Sequence, residues 1–139
     1  MSEEEKQLQA HLYEFRMLEG RLKEISVQSE MLVRALIETK GGLTTLKGLN
    51  TSSSTEVLIP IGGGLFVDAK APPSDKLLVT IGADVVVEKQ KEDALKDVEE
   101  RIKEMENAIS GIEANRADLN KKMLTKRESI NELIAKQKG

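Results

Sequence analysis

Stepping alternately by three and four residues from Leu8 meets His11, Phe15, Leu18, Leu22, Ile25, Ser29, Leu32, Leu36, Thr39, Leu43 and Leu46, and nine of these twelve positions are apolar. The same walk from Leu95 meets Val98, Ile102, Met105, Ile109, Ile112, Arg116, Leu119, Met123, Lys126, Ile130 and Leu133, with ten of twelve apolar. A seam sustained over this many heptads specifies a coiled coil. Neither segment contains proline, and Ser2 with Glu5 three residues later has the spacing of a capping box. Gly20 and Gly111 fall off the seam, where each costs on the order of 1 kcal/mol against alanine without opening the core. Helices of these lengths would each extend roughly 65 to 75 Å, which a compact domain of this size cannot hold.

The rest of the composition agrees. Tyr13, Phe15 and Phe66 are the only aromatics in 139 residues, so a large globular core is not expected. A net charge of −3 gives no general attraction to nucleic acid or anionic membrane. Cysteine is absent, which removes disulfides, thiolate nucleophiles and thiolate metal sites together. The acidic start MSEEEKQLQ is unlike a secretion signal, and no apolar stretch approaches the ~20 residues that span a bilayer. These features predict a soluble, cytoplasmic protein. Asn50, Thr51 and Ser52 match a glycosylation sequon, which without a secretion signal reads as a polar loop.

About forty residues separate the two seams, so the simplest arrangement folds the helices back as an antiparallel pair within one chain. Residues 2–19 carry five acids against two bases, net −3, and residues 121–139 carry six bases against two acids, net +4. Antiparallel pairing puts these segments together, and each sign suits its helix dipole. The register stays open, because a one-heptad shift keeps nearly as many apolar layers. His11 and Arg116 on the seam read as snorkelling or register-setting residues rather than ligands; one histidine in the chain leaves no basis for a histidine metal site or catalytic cluster.

Between the helices, Gly62, Gly63 and Gly64 raise the question of a phosphate-binding loop. Such a loop ends in Gly-Lys-Ser or Gly-Lys-Thr and opens a helix. Here Gly64 is followed by Leu65, Phe66 and Val67, which read as a strand, with the glycines as its turn. Val57, Ile59 and Ile61 alternate before that turn, and Leu65, Val67 and Ala69 after it, as in a β-hairpin. Beyond Pro72, Pro73, Ser74 and Asp75 the pattern recurs, with Leu77, Val79 and Ile81 before Gly82-Ala83-Asp84 and Val85 and Val87 after it. Apolar residues also fall on the opposite face, at Leu58, Phe66, Leu78 and Val86. Four short strands cannot bury an adequate core alone, and their open edges call for strands from other chains. The expected fold class is therefore α+β: a long antiparallel two-helix coiled coil, with two β-hairpins between the helices that join an intersubunit β-barrel. Its segments are residues 2–48 for the first helix, 49–88 for the hairpins and 89–138 for the second helix, within a single subunit of residues 1–139.

Long helix, hairpin, hairpin, long helix, with VLIPIGGGLFVDAK at 57–70 and KLLVTIGADVVVEK at 76–89, resembles the alpha class of the prefoldin family. Two hairpins rather than one are what separate that family's alpha class from its beta class. The resemblance covers essentially the whole chain, and its specific part is the hairpin region. It implies a hexamer of two alpha and four beta subunits, whose hairpins build a double β-barrel with six projecting coiled coils. It further implies an ATP-independent chaperone that holds unfolded polypeptides at the coiled-coil tips and transfers them to a group II chaperonin, with no cofactor. The short chain looks more like an archaeal subunit than a eukaryotic one. Gly41 and Gly42 near the end of the first helix are expected to make that end less regular.

A holdase needs reachable apolar surface on something that adapts to varied clients. Off the seam near the chain ends lie Leu12, Tyr13, Met17, Leu124 and Ile134, and the seam residues Leu8, Phe15, Ile130 and Leu133 become available if the ends fray. These nine are the candidate client-binding residues. The candidate assembly residues are Val57, Leu58, Ile59, Ile61, Leu65, Phe66 and Val67 in the first hairpin, and Leu77, Leu78, Val79, Ile81, Val85, Val86 and Val87 in the second. Val27, Met31 and Ile37 are off-seam as well but far from the ends, which weakens the contrast on the first helix. The competing reading is a structural coiled-coil spacer that uses its hairpins only to oligomerise. An enzyme is not expected, since no nucleophile–base set or metal cluster is present in the sequence. Nucleic-acid binding is not expected either, because the basic segment faces an acidic one and lacks stacking aromatics.

Overall fold

The computed structural model describes residues 2–138. Helix α1 runs Glu3–Gly48, strands β1 (Thr55–Gly62), β2 (Leu65–Ala71), β3 (Lys76–Gly82) and β4 (Val85–Gln90) follow, and helix α2 runs Lys91–Lys138. Strand β4 continues through Gln90 and α2 begins directly after it, two residues beyond the boundary expected at 89. The chain divides into two compact units, Met1–Ala35 with Met105–Gly139, and Leu36–Glu104.

The first unit is an antiparallel helix pair. Ser2 Oγ accepts a hydrogen bond from the Glu5 amide at 3.2 Å, so the serine side chain satisfies one of the amides that every helix start leaves open. Glu3, Glu4 and Glu5 occupy the first turn of α1, and Lys136 and Lys138 the last turn of α2, each sign opposing the local dipole. Every seam position of both helices in this unit is shielded, while most of the positions between them are exposed. Ser29, Leu119, Ile130 and Leu133 are buried. The register left open by the sequence is fixed at two polar points: Lys126 contacts His11 and Glu14, and Ser29 donates to Glu113 at 3.3 Å.

The second unit holds the remaining helical turns and both hairpins. Leu46, Ala94 and Ile102 are buried there. Lys91 closes the junction from two directions: its Nζ donates to the Leu49 carbonyl at 2.7 Å, and its amide to the Asp75 carbonyl at 2.6 Å. A cation on the end of α1 satisfies a carbonyl that the helix itself cannot. Gly41 and Gly42 stay helical, against the expectation of irregularity. Around them, the Thr44 and Thr45 hydroxyls donate to the carbonyls of Lys40 and Gly41.

Each hairpin is its own two-stranded antiparallel sheet, β1 with β2 and β3 with β4. Val57 faces Ala69, Ile59 faces Val67 and Pro60 faces Phe66; twenty residues on, Leu77 faces Lys89, Val79 faces Val87 and Thr80 faces Val86. Both ladders shift register at the isoleucine before the turn, Ile61 in one and Ile81 in the other. The recurrence seen in the sequence is thus a repeat of strand register, bulge and turn. In the first turn Gly63 and Gly64 have φ of +60° and +79°, the sign that a two-residue hairpin loop of type I′ requires. In the second, Ala83 and Asp84 adopt φ of +47° and +60°, so an alanine occupies a conformation that glycine takes freely.

Candidate functional site

Apart from Val27, Met31, Val33 and Ile37 along α1, the exposed large apolar side chains fall on two surfaces. On the hairpins, strand alternation puts apolar residues on both faces of each sheet. Val57, Ala69, Leu77, Val79 and Val87 are partly shielded, whereas Leu58, Ile59, Ile61, Leu65, Phe66, Val67, Leu78, Ile81, Val85 and Val86 are exposed. Leu78 is 77% exposed and Phe66 60%. Isolated two-stranded hairpins are marginal in water, and ten large apolar side chains left open on two of them make a surface built to be covered.

The second surface is the end of the first unit that carries the chain termini. Of the nine residues singled out there, Leu12, Tyr13, Met17, Leu124 and Ile134 are exposed, Leu8 and Phe15 are half-buried, and Ile130 and Leu133 are buried in the seam. The structure thus brings five of them to the surface and holds four in or beside the core. Phe15 has the Arg127 guanidinium over its ring at 5.7 Å from the centroid, a cation–π contact that the sequence spacing did not reveal. Lys126 sits between the two helices with His11 Nδ1 at 3.0 Å and the Glu14 carboxylate in contact. The hydrogen bond from Lys126, and then its charge, hold the Glu14 carboxyl below the usual carboxylate range, with His11 contributing less. His11 is therefore a partner of a seam lysine. Arg116 pairs with Glu113 at 3.2 Å on its own helix. Of the two polar seam residues, His11 thus makes a contact between the helices that bears on register, whereas the ion pair of Arg116 stays within α2.

Sequence reasoning missed the groove beside Met17. Glu14, Met17, Leu18 and Arg21 of α1 face Asp118, Lys121, Lys122, Thr125 and Lys126 of α2 across an open groove of about 700 Å³. Its signal was present only in the combination of register and heptad position, since residues from the two helices meet there. Among the described residues, no group of three or more His, Asp or Glu side chains is placed to hold a metal ion, and no helix is long and apolar enough to cross a membrane.

The pattern of the prefoldin subunit family matches residues 18–136. The chain belongs to the prefoldin family. Prefoldin subunit alpha of Nitrosopumilus maritimus is 30% identical over 134 residues, covering 96% of this chain and 91% of that one. Prefoldin subunit alpha of Pyrococcus horikoshii is 27% identical over 139 residues, covering 99% and 94%. Among solved structures, a chain of the filamentous PFD of Methanocaldococcus jannaschii superimposes with a TM-score of 0.65 at 28% identity, covering 86% of this chain and 94% of that one. The prefoldin beta subunit of Thermococcus strain KS-1 superimposes with a TM-score of 0.64 at 19% identity, covering 91% and 90%, a likeness of fold. Prefoldin subunits serve a chaperone rather than an enzyme, and this chain has the chaperone-subunit architecture: two long helices with two antiparallel hairpins between them.

Proposed function

We propose that this chain is the alpha-class subunit of a cytoplasmic, ATP-independent holdase. Its hairpins join those of beta-class prefoldin subunits in a hexamer of two alpha and four beta chains. The terminal end of its helix pair holds unfolded polypeptides and passes them to a group II chaperonin. The observation that carries this reading is the apolar cluster Leu12, Tyr13, Met17, Leu124 and Ile134, exposed at the terminal end of the helix pair; on α2, Leu124 and Ile134 are the only exposed large apolar side chains among the described residues, whereas α1 also exposes Val27, Met31, Val33 and Ile37 further along. Exposed apolar side chains on a flexible support bind clients of varied shape. Ile130 and Leu133 add to the cluster when the ends fray, because helix termini open at low free-energy cost. No step in this cycle requires a nucleotide, and the Gly62 to Gly64 turn leads into a strand rather than a helix.

The test is suppression of aggregation. A chemically unfolded protein is diluted without ATP into the assembly, and light scattering is followed for the intact chain and for one lacking residues 1–15 and 124–139. Suppression by the intact assembly that is lost on truncation supports the reading. Aggregation unchanged by the intact assembly overturns it.

A second reading, a structural spacer whose hairpins bind copies of the same chain, is favoured by the likeness to a filamentous PFD and by the repeated hairpins. Two similar edges on one chain suit head-to-tail contacts that do not close. Light-scattering mass measurement separates the readings: growth of the chain alone into open-ended polymers supports the spacer, and a closed hexamer formed only with beta-class chains supports the holdase.

A further inference from the structure

The groove beside Met17 has a chemical character that the exposed cluster does not. Its floor is apolar, from Met17 and Leu18, and its walls carry Arg21 of α1 with Lys121, Lys122 and Lys126 of α2 against only Glu14 and Asp118. The two acids are already engaged: Glu14 contacts Lys126, and Asp118 meets Lys122 at 3.1 Å. Arg21 and Lys121 form no ion pair among the described residues, so two cations flank apolar side chains on either side of an open cleft. All of these residues lie in one compact unit of the chain.

We infer that this groove selects its occupant by charge: it takes client segments in which apolar residues are flanked by Asp or Glu, and it disfavours those flanked by Lys or Arg. The inference rests on the holdase reading and adds to it the class of segment held on this subunit. An apolar floor rewards any hydrophobic side chain alike. Unpaired cations at the rim attract acidic flanks and repel basic ones, which turns a general apolar surface into a discriminating one. Exposed pairs are individually weak, so the selectivity comes from several acting together and fades as salt rises. Met17 supplies the adaptability that segments of varied shape require, since its unbranched thioether repacks easily.

The experiment uses the full chain in its assembly, with two synthetic peptides that share one leucine pattern and carry either Glu or Lys at the flanking positions. Five methionines make the chain self-reporting. With methyl-labelled methionine in this subunit alone, Met17 lies in the groove, Met31 is exposed outside it, and Met105 and Met123 sit in the seam. The expected result is binding of the acidic peptide about tenfold more tightly than the basic one, with the Met17 signal moving and the Met31, Met105 and Met123 signals staying. The double variant Arg21→Glu/Lys121→Glu, checked for unchanged helicity and melting, should lose or reverse the preference. Equal affinity for the two peptides, a preference that survives the double variant, or an unmoved Met17 signal overturns the inference. If aggregation is still suppressed in that event, the holdase reading stands and only the charge selection falls; failure of suppression by the unmodified assembly sinks both.

Discussion

Replacing Arg116 by leucine should stabilise this protein, although it deletes an ion pair. Arg116 occupies a seam position of α2, its Nη1 lies 3.2 Å from Glu113 Oε1, and its Nε is buried with no hydrogen-bond partner. A buried donor left unpaired costs about 1–3 kcal/mol. Against that, the pair with Glu113 is an i,i+3 contact whose side chains are 31% and 49% exposed, and such pairs contribute about 0.2–0.5 kcal/mol. Glu113 Oε1 also accepts from the Ser29 hydroxyl at 3.3 Å, so removing the arginine leaves that oxygen with a donor. Leucine adds modest apolar burial, since the arginine stem already occupies the seam. The net expectation is a gain of about 1–2 kcal/mol, seen as a rise of several degrees in the thermal midpoint followed by far-ultraviolet circular dichroism of the assembly. Arg116→Lys is the discriminating companion, because it removes the buried N–H while keeping a cation for Glu113. It should be neutral or mildly stabilising. A fall in midpoint for both variants would refute the reasoning, by showing that the Nε is satisfied in solution and that the guanidinium is a net stabiliser. The natural residue would then have been retained for stability rather than for register, which is where a polar seam residue otherwise has its use.

Three further perturbations follow from particular geometries. Ala83→Asn should slow amide exchange across residues 76–90 by up to about fivefold, roughly 1 kcal/mol, because asparagine tolerates the φ of +47° that alanine holds at strain; unchanged protection would contradict the strain. Gly41→Ala and Gly42→Ala should each add about 0.5–1 kcal/mol to the local stability of α1, since an added Cβ meets nothing within 4 Å at either site, and hydrogen exchange over residues 36–48 reads it directly. Glu14→Gln should lower the thermal midpoint at neutral pH and match the parent in acid. The folded carboxyl is held below its ordinary value, chiefly by Lys126, so its contribution is present above the usual carboxylate range and is lost as pH falls through the folded value. A midpoint difference that persists in acid would assign the effect to something other than this charge.

The helical half of the fold was legible almost to the residue. All twelve α1 positions and all twelve α2 positions of the alternating three-and-four walk are shielded, because a seam residue is defined by period alone. Hairpin pairing was legible for the same reason at period two. The register of the helices was not, since apolar layers are interchangeable under a heptad shift; only polar contacts such as Lys126 with His11 and Glu14 break that degeneracy, and those depend on side-chain reach rather than spacing. Spacing did separate Ile130 and Leu133, on the seam and buried, from Ile134, off the seam and exposed. The groove beside Met17 was hidden for a compound reason: Arg21 and Lys121 are a hundred residues apart, and each alone reads as one more charge on a solvated helix.

The two uncovered surfaces differ in the side chains that build them, and the difference carries a functional argument. On the hairpins, six of the ten exposed large apolar residues are the β-branched Ile59, Ile61, Val67, Ile81, Val85 and Val86, whose stiff χ1 suits packing against one fixed neighbour. At the end of the helix pair they are Leu12, Tyr13, Met17 and Leu124, with Ile134 the only β-branched member; longer, unbranched or rotatable side chains suit neighbours that change. A surface meant for permanent burial gains from side chains that lose little entropy on being ordered, whereas one that must release what it holds gains from side chains that keep several packings close in energy. The same chain therefore presents apolar area of two kinds, a rigid kind where assembly is proposed and an adaptable kind where client binding is proposed.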